Sequence, residues 1–212
     1  MSDEPPSLKN HFIINLDRRK DRWEHIQEEV KKLGIHEPRR FSGIVAPPPY
    51  PGIVGCGQSH LRCLEIAQEK DWEYVVVMED DACFLRPNTL LTQIKEIMND
   101  EEFDVLLCGY NPFGPHLKVR HNFIQVQRAY CGTMYIVKKH YYDTLIDNIE
   151  RSLDLLKKKN DRQYSWDAFW VLLQKRDTFL GVNPLSVVQK ADYSDIEEKE
   201  TNYTKLMLTI DK

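Results

Sequence analysis

The stretch WEYVVVMEDDACFL, residues 72–85, constrains the fold of this chain more than any other. It contains a valine-rich apolar run, residues 74–78, that is too short to span a membrane as a helix. A run of this length and composition is typical of a β-strand buried on both faces, as in the middle of a parallel sheet. The sequence therefore predicts an α/β protein organised around this strand.

Three acidic residues, Glu79, Asp80 and Asp81, end the buried strand. Neighbouring like charges repel one another, and Mg²⁺ or Mn²⁺, which prefer oxygen ligands, would remove that repulsion. If the strand continues through the acids, alternation places Glu79 and Asp81 on one side and Asp80 on the other. The carboxyl end of such a strand borders the crevice where open α/β sheets bind ligands. A solvated acidic turn is the alternative interpretation, which the triplet alone leaves open.

Composition excludes several classes of protein. A chain of 212 residues can form one domain with a substantial core, and its net charge of −4 gives no electrostatic case for nucleic acid. There is no apolar run long enough for a transmembrane segment, and the polar N-terminus is unlike a signal peptide. The cysteines show no paired metal spacing, so we interpret them as reduced core residues of a cytoplasmic protein. They are Cys56, Cys63, Cys83, Cys108 and Cys131.

The first strand, residues 11–16, leads into a helix with Asp17 as a plausible N-cap and Gly34 as its stop. Because helix N-termini attract anions, Arg18 and Arg22 beside this turn are candidates to meet a phosphate. The alternative is an exposed helix face held by ordinary ion pairs. Arg22 fits that alternative less well, because no acid follows it three or four residues later.

The remaining pattern alternates strands and helices. A proline-rich loop over residues 37–57 is expected to lead to a helix that Ser59 caps and that carries His60 in its first turn. The later elements are predicted in chain order as a helix from Pro87, strands over 103–108, 122–128 and 131–137, a helix over 138–156, a helix capped by Ser165, strands over 179–182 and 185–188, and a loosely packed polar tail from Ala191.

Several segments together resemble glycosyltransferase family 25, which includes bacterial lipooligosaccharide and collagen galactosyltransferases and has similar modules in large DNA viruses. The segments occur in the family's order and cover nearly the whole chain. They are FIINLDRRKDRW, GIVGCGQSHL, VVVMEDDACF, CGTMYIV and WDAFW followed by NPLSVVQKADYSDI. The block that joins the buried strand to EDD and the Ser-His pair are the most specific parts.

The resemblance implies a single glycosyltransferase domain over residues 1–212 with a GT-A-type, Rossmann-like fold, in which helices flank a mostly parallel sheet. It implies a nucleotide-sugar donor, usually a UDP-sugar. Glu79 and Asp81 take the positions of the family's Asp-x-Asp metal motif, with Asp80 between them and Gln189 as a further polar ligand. The implied donor-binding residues are Asn15, Leu16, Asp17, Arg18, Arg22, Ser59, His60, Glu79, Asp80 and Gly132.

In this interpretation Mn²⁺ or Mg²⁺ on the acids would neutralise the diphosphate leaving group. Asp167 is the candidate base for the acceptor hydroxyl, with Asp192 and Asp195 next in line. Trp166 and Trp170 offer flat surfaces for an acceptor sugar. All three residues can also have a purely structural role. The helix dipole favours an acid such as Asp167 in a first turn, and aromatic residues on a helix, such as Trp166 and Trp170, usually pack in the core.

The expected activity is transfer of a hexose-type sugar to a glycan or glycoprotein, in the cytoplasm, or in the host cytoplasm if the protein is viral. Two other functions remain open from the sequence. One is a metal-dependent phosphohydrolase, although the chain has few of the Asp and His clusters of two-metal sites. The other is a non-catalytic module that binds sugar nucleotides or glycans.

Overall fold

A computed structural model describes residues 8–50, 52–98, 103–114 and 117–209. The strands are β1 (His11–Asn15), β2 (Arg40–Ser42), β3 (Tyr74–Glu79), β4 (Ala82–Phe84), β5 (Val105–Pro112), β6 (Leu117–Arg120), β7 (Phe123–Gln125), β8 (Ala129–Lys138), β9 (Phe179–Val182), β10 (Val187–Gln189), β11 (Asp192–Ser194) and β12 (Lys199–Thr201). The helices are α1 (Lys20–Lys31), α2 (Gly52–Glu69), α3 (Pro87–Ile97), α4 (Tyr142–Lys159), α5 (Trp166–Phe169), α6 (Val171–Gln174) and α7 (Thr204–Leu208).

The central sheet has eight strands in the order β2-β1-β3-β8-β5-β9-β7-β6. The pairs β2–β1, β1–β3 and β5–β9 are parallel, and β8 is antiparallel to both β3 and β5. Since β7 is antiparallel to both β9 and β6, six of the eight strands point the same way and only β7 and β8 are reversed. The predicted α/β architecture with a mostly parallel sheet is confirmed.

The buried strand predicted from the valine run is β3. Val75, Val76 and Val77 have no exposed surface, because β3 lies between β1 and β8 in the sheet. One neighbour is parallel and the other antiparallel, so the surroundings are more mixed than an all-parallel sheet.

The first helix, α1, stops at Gly34 as the sequence predicted, but its N-terminus differs from the prediction. Gly34 has a φ of +75°, and the Ile35 N–H donates to the Val30 carbonyl at 3.2 Å, which is the hydrogen bond of a Schellman motif. Asp17 as N-cap is wrong. Arg19 occupies the cap position without a side-chain hydrogen bond, and the Asp17 carboxylate accepts instead from Arg40.

The loop predicted over residues 37–57 contains β2 and the first turns of α2, which begins at Gly52. Ser59 and His60 therefore lie inside the helix, and Ser59 is not its cap. The Ser59 hydroxyl donates to the Gly55 carbonyl and accepts from the Ile44 N–H, both at 2.8 Å. Glycine by itself weakens a helix. At Gly55 the lack of a side chain allows the helix α2 to pack directly against the loop backbone at Ile44.

The second half of the chain differs from the pattern in three places. Strand β5 continues to Pro112 beyond the predicted Cys108, and β6 was not predicted. Strand β10 leaves the main sheet and pairs with β4. The tail after Ala191 is not loosely packed, because β11 and β12 form a hairpin and Met207 of α7 is fully buried.

The described residues contain no helix that combines the length and apolarity needed to cross a membrane.

Replacing Gly55 by alanine tests the contact between α2 and the preceding loop. The added Cβ would lie 2.2 Å from the Ile44 carbonyl oxygen, so helix and loop would have to separate. We expect the free energy of unfolding, measured by urea denaturation, to fall by about 1–3 kcal/mol, although alanine is the better helix former. Gly52→Ala is the matched control, because the nearest atom to its Cβ is 3.7 Å away. Equal stabilities of the two variants would contradict the contact.

Candidate active site

A cavity of about 390 Å³ opens at the carboxyl ends of β1 and β3. Because β8 runs the opposite way, its amino end, with Cys131 and Gly132, lies at the same edge. Strand β10 brings Gln189 to the cavity, and the segment that follows β11 closes one side of it. Residues distant in sequence therefore meet where open α/β sheets usually bind ligands.

The three acids all line this cavity. Strand β3 ends at Glu79, and the backbone turns at Asp80 and Asp81 before β4 begins at Ala82. The alternation was expected only for a strand that continues through the acids, and this condition is not met, because the chain turns after Glu79 and all three acids line the cavity. One oxygen, Asp81 Oδ1, is buried and has no hydrogen-bond partner among the described residues.

Burial, together with the neighbouring charges, shifts the acids of this cluster towards their protonated forms. The pKa of Glu79 is raised to about 7, mainly by burial and to a lesser extent by the charges of Asp167 and Asp80. Burial, followed by the charge of Glu79, raises the pKa of Asp81 to about 8. The pKa of Asp80 is also raised by burial, although Arg22 and Asn15 oppose that shift. At neutral pH, bound protons on Glu79 and Asp81 therefore remove part of the negative charge that a bound cation would otherwise neutralise.

Arg22 supplies positive charge to the cluster, and Asn15 supplies a hydrogen bond. Arg22 Nη1 lies 3.1 Å from Asp80 Oδ1 and 3.2 Å from Asp81 Oδ2, with only 12% of its side chain exposed. Asn15 Nδ2 donates to Asp80 Oδ2 at 2.7 Å. Both residues come from the β1–α1 unit, so the predicted turn does approach the acids. It does so through carboxylate contacts and not as an exposed helix face.

His60 forms a second group with Glu79. Its Nε2 lies 3.2 Å from Glu79 Oε1, and its Nδ1 lies 2.9 Å from the Tyr135 hydroxyl. Burial lowers the pKa of His60 to about 3, so the ring is neutral. The Trp166 ring stacks on it at a centroid distance of 4.0 Å. The absence of a side chain at Gly132 makes room for Trp166, since a Cβ there would lie 2.2 Å from that ring.

Asp167 faces the cavity from the first turn of α5, as predicted. Its Oδ2 accepts a hydrogen bond from the Cys131 backbone N–H at 3.1 Å. Ser165 is the N-cap of α5 by position, without a side-chain hydrogen bond.

The alternative bases are differently placed. The Asp192 and Asp195 carboxylates pair with Arg19 at 2.9 and 2.6 Å. Burial alone would raise the pKa of Asp192, but the Tyr193 backbone N–H and the guanidinium groups of Arg22 and Arg19 lower it below its ordinary value. A base with a lowered pKa accepts protons poorly.

The other predicted site residues divide into two groups. Leu16, Arg18, Ser59, Gly132 and Gln189 line the cavity.

Asp17 and Trp170 do not. Asp17 is 74% exposed and pairs with Arg40, so its place among the nucleotide-binding residues is not supported. Trp170 is fully buried and donates to the Ala129 carbonyl at 3.0 Å, so an acceptor sugar cannot reach it. Its spacing on the helix reflects core packing.

Several cavity residues were missed by the sequence reasoning: Arg19, Ile44, Val45, Ala46, Cys56, Cys131, Arg162, Ile196, Glu197 and Tyr203. Cys56 alone carried a local signal, because it precedes His60 by four residues and so shares its helix face. The others reach the cavity through tertiary packing.

A solved structure shares this architecture. A glycosyltransferase involved in the glycosylation of the major capsid of PBCV-1 has a TM-score of 0.55 at 12% identity, with 89% of this chain and 95% of that chain covered. The chain has a GT-A-type fold. A197 from STIV (15% identity, 91% and 93% covered) and mannose-1-phosphate geranyltransferase from Thermus thermophilus (8% identity, 90% and 76% covered) each have a TM-score of 0.47. No protein-family model matches the sequence, and no curated protein matches it significantly.

The raised pKa values predict how stability depends on pH. In the unfolded chain Glu79 and Asp81 lose their protons at about pH 4. In the folded protein the pKa is about 7 for Glu79 and about 8 for Asp81. Between these values the folded state binds more protons, so its free energy of unfolding falls as pH rises, by up to about 1.4 kcal/mol per pH unit for each proton.

Urea denaturation in a chelator at pH 5, 6.5 and 8 measures this effect. We expect Glu79→Gln/Asp81→Asn to gain stability relative to the natural protein as the pH rises, because amides carry no charge to repel. Asp154→Asn, which removes an exposed acid of α4, should follow the natural protein. A stability difference that stays constant from pH 5 to pH 8 would show that the acids are not strained.

Proposed function

We propose that this protein is a metal-dependent glycosyltransferase that moves a hexose-type sugar from a nucleotide-sugar, specifically a UDP-sugar, to a hydroxyl group of a glycan or glycoprotein. One observation carries the proposal. A single cavity combines the three acids Glu79, Asp80 and Asp81, one of whose buried oxygens has no hydrogen-bond partner among the described residues, with arginine side chains at the start of α1. A cation site beside an anion site is what a metal–diphosphate group requires.

The carboxylates fit Mn²⁺ or Mg²⁺. They offer oxygen donors, and the buried Asp81 Oδ1 is free to serve as one. Glu79, Asp80 and Asp81 would hold the ion, and the side-chain amide of Gln189 lies beside them, with its Nε2 3.4 Å from Glu79 Oε2. When bound, the ion supplies positive charge that stabilises a diphosphate leaving group.

Arg18 and Leu16 support a donor site over the end of β1. The Arg18 side chain is 55% exposed and is held by one ion pair to Asp195 at 2.8 Å. Exposed pairs of this kind contribute about 0–1 kcal/mol, so a diphosphate can replace the Asp195 carboxylate. Leu16, Ile44 and Val45 offer apolar surface to a nucleotide base.

Asp167 is the proposed base. Its carboxylate would take the proton of the acceptor hydroxyl while that oxygen forms a bond to the anomeric carbon of the donor. The bond from this carbon to the diphosphate breaks, and the nucleoside diphosphate leaves with the electron pair. One base suffices if the configuration inverts. Trp166 lines the cavity but is only 3% exposed and stacks on His60, so it does not offer an open ring face to the acceptor sugar as the sequence predicted.

The shared fold supports this assignment, because the PBCV-1 protein with the same architecture is itself a glycosyltransferase. The same proposal includes membership of glycosyltransferase family 25 and a single domain over residues 1–212. It also includes a cytoplasmic location, which would be in a host if the protein is viral.

Product analysis separates the proposed activity from its rivals. The protein is incubated with Mn²⁺, a panel of nucleotide-sugars and glycan acceptors, and the products are identified by mass spectrometry. A transferase releases nucleoside diphosphate and adds a hexose to the acceptor. A phosphohydrolase cleaves a phosphate bond without glycosylating the acceptor, and a binding module releases nothing. Either of the last two results would overturn the proposal.

Asp81→Asn tests the metal site. We expect the variant to stay folded, because the change relieves repulsion, and to lose Mn²⁺-dependent binding of UDP in calorimetry by more than tenfold. Asp154→Asn is the matched control on an exposed helix face. An unchanged Mn²⁺ dependence in Asp81→Asn would refute the ligand assignment.

Asp167→Asn tests the base. The amide keeps an oxygen to accept from the Cys131 N–H but cannot take a proton, so turnover should fall by about 10²–10⁴. Donor affinity should change little, because the acids and Arg18 are untouched. Asp161→Asn, an exposed acid of the preceding turn, serves as control. If turnover survives and only the melting temperature falls, Asp167 is a structural acid.

A further inference from the structure

We propose that Cys56, His60 and Glu79 form a Zn²⁺ site in the cavity, distinct in ligand chemistry from the acidic cluster. The inference goes beyond the proposed glycosyltransferase activity and does not depend on it.

The geometry of the three side chains carries the proposal. The Cys56 Sγ, a His60 ring nitrogen and a Glu79 carboxylate oxygen all lie within 4.8 Å of one another. Cys56 and His60 are four residues apart on α2, which places them one turn apart on the face that lines the cavity. Glu79 reaches them from the end of β3, where its Oε1 is 3.2 Å from His60 Nε2.

Neighbouring groups hold these ligands in place. When Nε2 binds the ion, the proton of the ring resides on Nδ1 and is donated to the Tyr135 hydroxyl, 2.9 Å away. Trp166 stacks on the imidazole and fixes its plane. Gln189 Nε2 lies 3.4 Å from the other oxygen of Glu79. Partners of this kind orient the ligands of most metal sites in proteins.

The donor atoms select the ion. A sulfur, an imidazole nitrogen and one carboxylate oxygen are the ligands of Zn²⁺, whereas Mn²⁺ and Mg²⁺ favour oxygen. On binding, the metal–sulfur bond replaces the S–H bond of Cys56 and the thiol proton passes to solvent. Three protein ligands would leave a fourth position for water or another ligand, as in catalytic zinc sites.

The two sites share Glu79. A Zn²⁺ ion on Cys56 and His60 withdraws this carboxylate from Asp80 and Asp81. Zn²⁺ therefore opposes any hard divalent ion that the acids bind.

Titration with Co²⁺, a spectroscopic substitute for Zn²⁺, tests the site on the full chain without nucleotide or acceptor. The natural protein, first stripped of metal, should develop a sulfur-to-cobalt charge-transfer band at one equivalent, and added Zn²⁺ should abolish it. Absence of the band would overturn the proposal. Because no nucleotide is present, this result is independent of whether sugar transfer is observed.

Single substitutions identify the ligands, with circular dichroism confirming that each variant is folded. Cys56→Ser should lose the band. Cys63→Ser, in the core of the same helix, and Cys131→Ser, in the cavity wall, should keep it. Glu79→Gln should keep the band and weaken Co²⁺ affinity more than tenfold. The assignment is overturned if the band survives in Cys56→Ser or disappears in Cys131→Ser. It is also overturned if Glu79→Gln binds Co²⁺ as tightly as the natural protein.

Discussion

The cavity depends on the charge balance between the carboxylates that end β3 and the guanidinium of Arg22. Arg22 contacts Asp80 and Asp81 at 3.1 and 3.2 Å in a place largely closed to water. Loss of Arg22 would leave both acids without this cation, and leaving a buried charge unpaired in this way usually costs about 3–5 kcal/mol. Even with Arg22 present, Glu79 and Asp81 have raised pKa values, so their ionised forms are not fully stabilised. The fold therefore holds carboxylates in an arrangement that a further cation would stabilise.

Sheet topology produces this arrangement. Strands β1 and β3 are parallel neighbours, so Asn15 and Glu79 reach the same edge of the sheet. The reversed β8 starts at that edge and contributes Cys131 and Gly132. Strand β10 pairs with β4 and brings Gln189 towards Glu79. Each element is ordinary by itself, and the site exists because four of them end in one place.

Strong and weak contacts are distributed unevenly around the cavity. His60 is fully buried between the Trp166 ring and Tyr135, which fixes its orientation. Arg18 at the cavity entrance, in contrast, is more than half exposed, and its ion pair within the described part of the chain is with Asp195 of the tail. Solvent screening makes such a pair weak, so the entrance can exchange partners while the buried wall stays fixed. A site that admits a charged ligand needs both properties.

The sequence by itself determined the elements whose signals are local. The valine run is a buried strand because it has the length of a strand and is rich in β-branched valine, and Gly34 ends α1 because glycine adopts a positive φ without strain. The acids at the end of β3 were also readable as a cavity group, and Asp167 as a cavity acid. Only the tertiary structure decided that Asp80 and Asp81 turn to join Glu79, that Trp170 belongs to the core, and that the glycines before His60 are helical. These outcomes depend on contacts between segments far apart in the chain, and residue order does not state which segments will touch.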